Sequence, residues 1–169
     1  PADDAEIQAS ETQLASAPDS GDTLDMSQFD FDVSGWDSSY TGEALPASEM
    51  QEWVLNTVLR IQALGGRRLL ELGFGSGLLM YRLLRGADTY WGTDITEQAI
   101  ARMKARIPAL TSQNNTEIKV WAQGAHEFAH IQEGSFDTIV LNSVAQYFPS
   151  LDYLKSVIRR AASQLAANG

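Results

Sequence analysis

The sequence predicts an α/β fold built on a doubly wound parallel sheet, and three observations predict it. Short apolar runs of strand character alternate with helix-length segments from residue 67 onward. Three glycines fall within five residues of the stretch "LLELGFGSGLL" at 69–79, between a strand pattern and a helix pattern. A carboxylate, Asp94, closes the next strand-like run, 21 residues beyond Gly73.

Residues 1–25 are rich in Ala, Ser, Asp and Glu and have no sustained apolar period, so they read as an acidic linker or arm. A chain that opens on a proline reads as a piece of a longer polypeptide. Residues 26–66 form an amino-terminal lid segment and a helix. The lid, "FDFDVSGWDSSYTGEALP", is loop chemistry carrying Phe29, Phe31, Trp36 and Tyr40, aromatics that are costly to leave in water. From Ala47 the apolar stripe Met50, Val54, Thr57, Val58, Ile61 has helical spacing, and Gly65-Gly66 ends it.

Residues 67–169 form the core. "RRLLEL" is a buried strand, followed by the glycine turn and a short helix, "LLMYRLLR", closed by Gly86. "TYWGTDI" is the second strand. "TEQAIARMKARI" is a helix with Thr96 as its N-cap and Pro108 beyond its end. "EIKVWAQ" is the third strand and "FDTIVLNSV" the fourth, apolar through its middle as parallel strands are. "LDYLKSVIRRAASQLAA" is the last helix. The chain stops at Gly169, before a fifth strand, so the core is expected to lack its last strands. The fourth is then left as an apolar edge open to a second copy of the chain.

Composition narrows the partners. The 169 residues carry 22 acidic and 12 basic side chains, a formal charge of −10, which repels phosphate backbones and anionic lipids. Nucleic acid and membrane are therefore not expected partners. The chain has no cysteine, which removes disulfides, thiolate zinc and a cysteine nucleophile, and no metal is expected. There is no apolar run of the roughly 20 residues that cross a bilayer, and a cytoplasmic location is expected.

In an open parallel sheet, ligands sit beyond the carboxyl ends of the strands where strand order reverses. Gly73, Gly75 and Gly77 fall at that place, and glycine lets a ligand approach the backbone with no Cβ in the way. The spacing is not the dinucleotide fingerprint G-x-G-x-x-G, since the third glycine arrives one residue early and Leu78 stands in its place. The pattern is E-x-G-x-G-x-G, and Glu71 on the strand repels a pyrophosphate but not a cofactor bearing an amine and a sulfonium. A nicotinamide-dependent oxidoreductase is disfavoured on both counts. Asp94, at the end of the second strand, is placed to accept two ribose hydroxyls, or else to cap the helix that follows.

These residues resemble the class I S-adenosylmethionine-dependent methyltransferases. Glu71 to Gly77 match the first motif of that family, Asp94 its ribose acid and "FDTIVLNSV" its fourth-strand motif. The resemblance implies S-adenosylmethionine as cofactor, its methionine end over Gly73 and Gly75 and its ribose on Asp94. The adenine lies near Ile95 and the turn holding Ala125, His126 and Glu127. A narrower resemblance covers most of 29–165: "GWDSSYTGEALPASEMQEWV", "YWGTDIT" and "LNSVAQYFPSLDYL" are similar to methyltransferase domains embedded in modular polyketide synthases and nonribosomal peptide synthetases. It implies an acceptor held on an acyl carrier protein, with neighbouring synthase domains as partners. An O-methylating domain acting on a β-hydroxyl is favoured. The alternatives are N-methylation of an aminoacyl thioester and a non-catalytic cofactor-binding or docking module.

Methyl transfer is an in-line displacement that depends on alignment, and an alcohol acceptor also needs a general base. His126 and His130 follow the third strand, on the adenine side, and neither is expected to be that base. Asn142, Ser143, Gln146 and Tyr147 follow the fourth strand, where the methyl group is expected. Asn142, Gln146 and Tyr147 are the candidates for positioning the acceptor, with Asn142 also counted among the cofactor contacts. Tyr40 and Trp36 are candidates to close over the cofactor. The general base belongs to the missing part, and the fragment alone is expected to bind cofactor without turning over.

Overall fold

The computed structural model describes Phe31, residues 45–167 and Gly169. The expectations for the acidic arm and for most of the aromatic stretch, Trp36 and Tyr40 included, lie outside the described residues. The first described helix, α1 (Ala47–Ala63), buries Met50, Val54 and Val58 as its apolar stripe requires. It packs Val54 and Val58 into the core that covers one face of the sheet.

Four strands follow: β1 (Arg68–Leu72), β2 (Thr89–Asp94), β3 (Glu117–Ala122) and β4 (Thr138–Val140). All pairings are parallel, in the order β3-β2-β1-β4. The chain steps outward from β1 to β3 and then returns to the other side of β1. Strand order thus reverses between β1 and β4, which is where such sheets bind ligands.

Side chains alternate across β1. Leu69 joins a core with α1, the short α2 (Met80–Leu83) and α3 (Glu97–Asn114) on one face. Leu70 and Leu72 join Phe136 and Val157 of α4 (Leu151–Gln164) on the other. Asp137 ties the start of β4 to that of β1: its Oδ2 accepts from the backbone N–H groups of Arg67 and Arg68, and its Oδ1 from the Arg68 guanidinium.

Several boundaries differ from the sequence reading. The helix expected to stop before Pro108 runs through it to Asn114 and ends on Asn115 in the left-handed conformation, φ 51°. The proline removes one hydrogen bond, but only the longer helix carries Leu110 into the core with Ala99, Ile100 and Met103. Thr96 occupies the N-cap position of α3 but makes no side-chain cap bond; Asp94 Oδ1 accepts from the Thr96 N–H instead, at 2.8 Å. The helix expected over 78–85 is one turn of α2 followed by a 3₁₀ turn, Leu84–Gly86, since so short a segment cannot offset helix nucleation.

The fourth strand is shorter than its apolar run, and beyond it Ser143 adopts φ 54° and turns the chain. The last helix stops at Gln164, where Leu165 turns extended and forms a parallel bridge with Phe136. The backbone of Ala166 then donates to Phe136 at 2.8 Å, so the outer side of β4 is met at its amino end.

Candidate functional site

At the carboxyl ends of β1, β2 and β4 the turns enclose an open cleft of about 1200 Å³. Its floor is the glycine turn. The N–H groups of Gly73 and Phe74 both donate to the Thr93 carbonyl, at 2.7 and 3.1 Å, which ties the turn to β2. Gly73 has φ +82°, and a Cβ there would sit 2.4 Å from Val144 Cγ1, so the turn after β4 can press directly on it. Gly75, at φ +57°, has open space where a Cβ would stand. Gly73 therefore serves close backbone packing and Gly75 serves access from the cleft.

Asp94 fixes this geometry. Its Oδ2 accepts from Gly75 N–H at 2.9 Å and its Oδ1 from Thr96 N–H, so one carboxylate holds both the glycine turn and the start of α3. The two sequence readings of Asp94, ribose acid and helix cap, are therefore not exclusive. Each oxygen accepts one N–H, and a carboxylate has lone pairs for more.

Glu71 lies beneath, 3% exposed, with the Tyr90 hydroxyl donating to its Oε2 at 2.8 Å. Burial pushes its carboxyl up to about 7; the Tyr90 bond opposes the rise and the Asp94 charge adds to it. The same burial, with Glu71 alongside, pushes the Tyr90 phenol well above its ordinary value.

The other expected residues divide. Ile95, 82% exposed, lines the cleft, as do Ala125, Asn142, Gln146 and the exposed Tyr147. Ser143 lines it too, its carbonyl accepting from Gln146 Nε2 at 2.8 Å. Gly77 does not: a Cβ there would meet Met103 and Tyr81, so this glycine lets α3 and the α2 segment pack. His126 stands behind the cleft wall, its Nδ1 2.6 Å from the Tyr153 hydroxyl, and His130 is exposed beyond it.

Trp53, Arg102, Phe148 and Tyr153 also line the cleft and escaped the sequence reading. Arg102 had a legible signal, since it lies one turn past Ala99 on the face of α3 that follows Asp94. Trp53 and Tyr153 had none, because each reaches the site from a helix whose register against the sheet depends on tertiary packing. Among the described residues no cluster of acids and histidines is arranged to hold a metal, and no helix is long and apolar enough to cross a membrane.

Residues 70–169 match the family model described as a methyltransferase domain. Chondramide synthase cmdD of Chondromyces crocatus is 46% identical over 153 residues, covering 86% of this chain and 4% of that protein. The probable non-canonical nonribosomal peptide synthetase CymA of Salinispora arenicola is 42% identical over 138 residues, covering 82% of this chain and 2% of that protein. The chain thus spans only a small fraction of the length of these relatives. Among solved structures, N-methyltransferase NodS from Bradyrhizobium japonicum WM9 superposes with a TM-score of 0.55 at 21% identity, over 69% of this chain and 62% of that one. With a match over most of its length and strands in this order, the chain belongs to the methyltransferase domain family and has the fold of the class I S-adenosylmethionine-dependent methyltransferases.

Proposed function

We propose that the chain is the cofactor-binding core of an N-methyltransferase domain within a nonribosomal peptide synthetase. In this reading it uses S-adenosylmethionine to methylate the amine of an aminoacyl group held as a thioester on a carrier protein. The observation that carries the cofactor part is the Asp94–Gly75 bond at the point where strand order reverses. The residues present fit such a cofactor. Among the described residues, two carboxylic acids, Glu71 and Asp94, and one cation, Arg102, line a cleft that must take a positively charged molecule. Asp94 retains acceptor capacity for ribose hydroxyls, and Gly75 leaves room over the backbone.

When bound, the cofactor supplies an electrophilic methyl group on a sulfonium. The chain's own residues bind and orient. Asp94 takes the ribose, Glu71 the amino group, and Ile95 and Ala125 flank the base. Asn142, Gln146 and Tyr147 hold the acceptor in line, and excluding water and aligning the partners carries much of the rate.

An amine acceptor is favoured over the hydroxyl favoured from the sequence. What supports it is that relatives bear a nonribosomal peptide synthetase name, and a peptide is assembled from aminoacyl groups, which carry an amine. The carrier protein, the neighbouring synthase domains and the linker role of residues 1–25 belong to the same proposal.

The test is methyl transfer from labelled S-adenosylmethionine by the chain in its parent polypeptide, offered carrier-bound aminoacyl and β-hydroxyacyl thioesters side by side. Label on the amine alone supports the proposal. Label on the hydroxyl alone returns the O-methylating reading. Cofactor binding with neither product favours a docking module.

A further inference from the structure

Glu71 and Tyr90 meet for a topological reason. In the β1–β2 register Leu69 faces Tyr90 and Glu71 faces Gly92, so Tyr90 and Glu71 are diagonal neighbours on one face of the sheet. Gly92 brings no side chain of its own beside Glu71; the room its missing Cβ leaves is taken by Met80 and Phe74. Tyr90 is fully buried, yet its hydroxyl is satisfied by a single acceptor, Glu71 Oε2. Among the described residues no other donor bonds that carboxylate, which lines the cleft.

We propose that Tyr90 is a positioning residue for cofactor capture: by occupying Oε2 of Glu71 from within the sheet, it leaves Oε1 as the acceptor for a primary ammonium group entering the cleft. This rests on the cofactor reading above and extends it to the partner that sets the state of Glu71. The carboxyl is raised to about 7 by burial, so near neutrality much of it carries a proton. An arriving ammonium needs the carboxylate, and capture expels that proton to the buffer; no covalent bond forms or breaks. Among the described residues, the titratable groups acting on Glu71 are Tyr90 and Asp94 on β2, while Arg102 of α3, Tyr147 and Tyr153 of α4 line the same cleft. β4 contributes none, being Thr138, Ile139 and Val140.

The experiment is calorimetric titration of the whole chain, between pH about 6 and about 7.5, in two buffers of different ionisation enthalpy, which counts protons released per ligand. S-adenosylhomocysteine carries the ammonium, and methylthioadenosine lacks it. The expected result is release of about half a proton with S-adenosylhomocysteine at pH 7 and none with methylthioadenosine. Tyr90→Phe removes the bond that favours the carboxylate, so its release at pH 7 moves toward a full proton and its affinity falls several-fold, while methylthioadenosine binding is unchanged. A merely structural tyrosine would weaken both ligands alike and leave the proton count alone.

Should Tyr90→Phe fail to fold, Glu71→Gln keeps an acceptor for the hydroxyl and is expected to bind S-adenosylhomocysteine more weakly with no proton release. Binding of S-adenosylhomocysteine with no release by the wild type, or equal release with both ligands, overturns the inference and leaves the cofactor reading standing. Binding of neither ligand overturns that reading and the inference with it.

Discussion

Asp94 Oδ2 lies 2.9 Å from the backbone nitrogen of Gly75, so the residue expected to read a ribose also sets the shape of the turn that admits the cofactor. Ligand binding and local structure are coupled through one side chain.

Asp94→Ala should therefore lose more than a ribose contact. Hydrogen bonds to a charged group contribute about 1.5–3 kcal/mol each, so S-adenosylhomocysteine affinity is expected to fall roughly tenfold to a hundredfold. The Gly75 and Thr96 N–H groups lose their acceptor as well, and the midpoint of thermal unfolding should drop. Asp94→Asn keeps one carbonyl oxygen as acceptor and should hold the fold better than the affinity. If Asp94→Ala binds as tightly as the wild type in calorimetry, the ribose assignment is wrong.

The glycines separate by geometry. Gly73→Ala meets both a left-handed φ and Val144, so strain of about 1–3 kcal/mol adds to overpacking of a similar size. Gly75→Ala meets only the φ penalty of about 1–2 kcal/mol, because its Cβ points into open space. Gly73→Ala should thus be the less stable in denaturant titrations. Gly75→Ala, less destabilised than Gly73→Ala, should lose cofactor affinity out of proportion to its loss of stability.

The sheet, the glycine turn and Asp94 were legible in the sequence because each is a local pattern: an apolar run, a residue type that tolerates positive φ, an acid ending a strand. What was not legible depends on distant packing. Pro108 sits inside α3 because Leu110 is buried, which no window around the proline reveals. Gly77 looked like part of the cofactor loop, yet its missing Cβ makes room for Met103, 26 residues away in the chain. Tyr90 read only as part of the second strand, and its bond to Glu71 follows from strand register.

Asp137 should act as a pH-dependent staple between β1 and β4. The Arg68 guanidinium, with help from the Arg67 and Arg68 N–H groups, holds its carboxyl down at about 2. A depressed carboxyl contributes stability that is fully present above its ordinary value of 3.8 and is lost as pH falls toward about 2. Asp137→Asn is accordingly expected to unfold at lower temperature than the wild type at pH 6, with the two curves converging below about pH 3. A constant gap down to that pH would show that the staple is not electrostatic.

Glu71 obeys the opposite sign. Its folded carboxyl is raised from 4.5 to about 7, so the folded chain holds this proton more tightly than the unfolded one. The contribution is fully present below about 4.5, and it is lost as pH rises through about 7, where a charge must be kept in the core. Glu71→Gln is neutral at every pH, has nearly the same shape and can still accept from the Tyr90 hydroxyl. The variant and the wild type should therefore melt together near pH 4. By pH 8 the variant should melt higher by a few degrees, at about 2–4 °C per kcal/mol for a chain of this size. It should also bind S-adenosylhomocysteine more weakly at pH 8, so that stability and affinity move in opposite directions, as expected where a functional group is held against the preference of the fold. A variant less stable than the wild type by one margin at every pH would show instead that Glu71 is kept for its bonds, and that its burial costs the fold nothing.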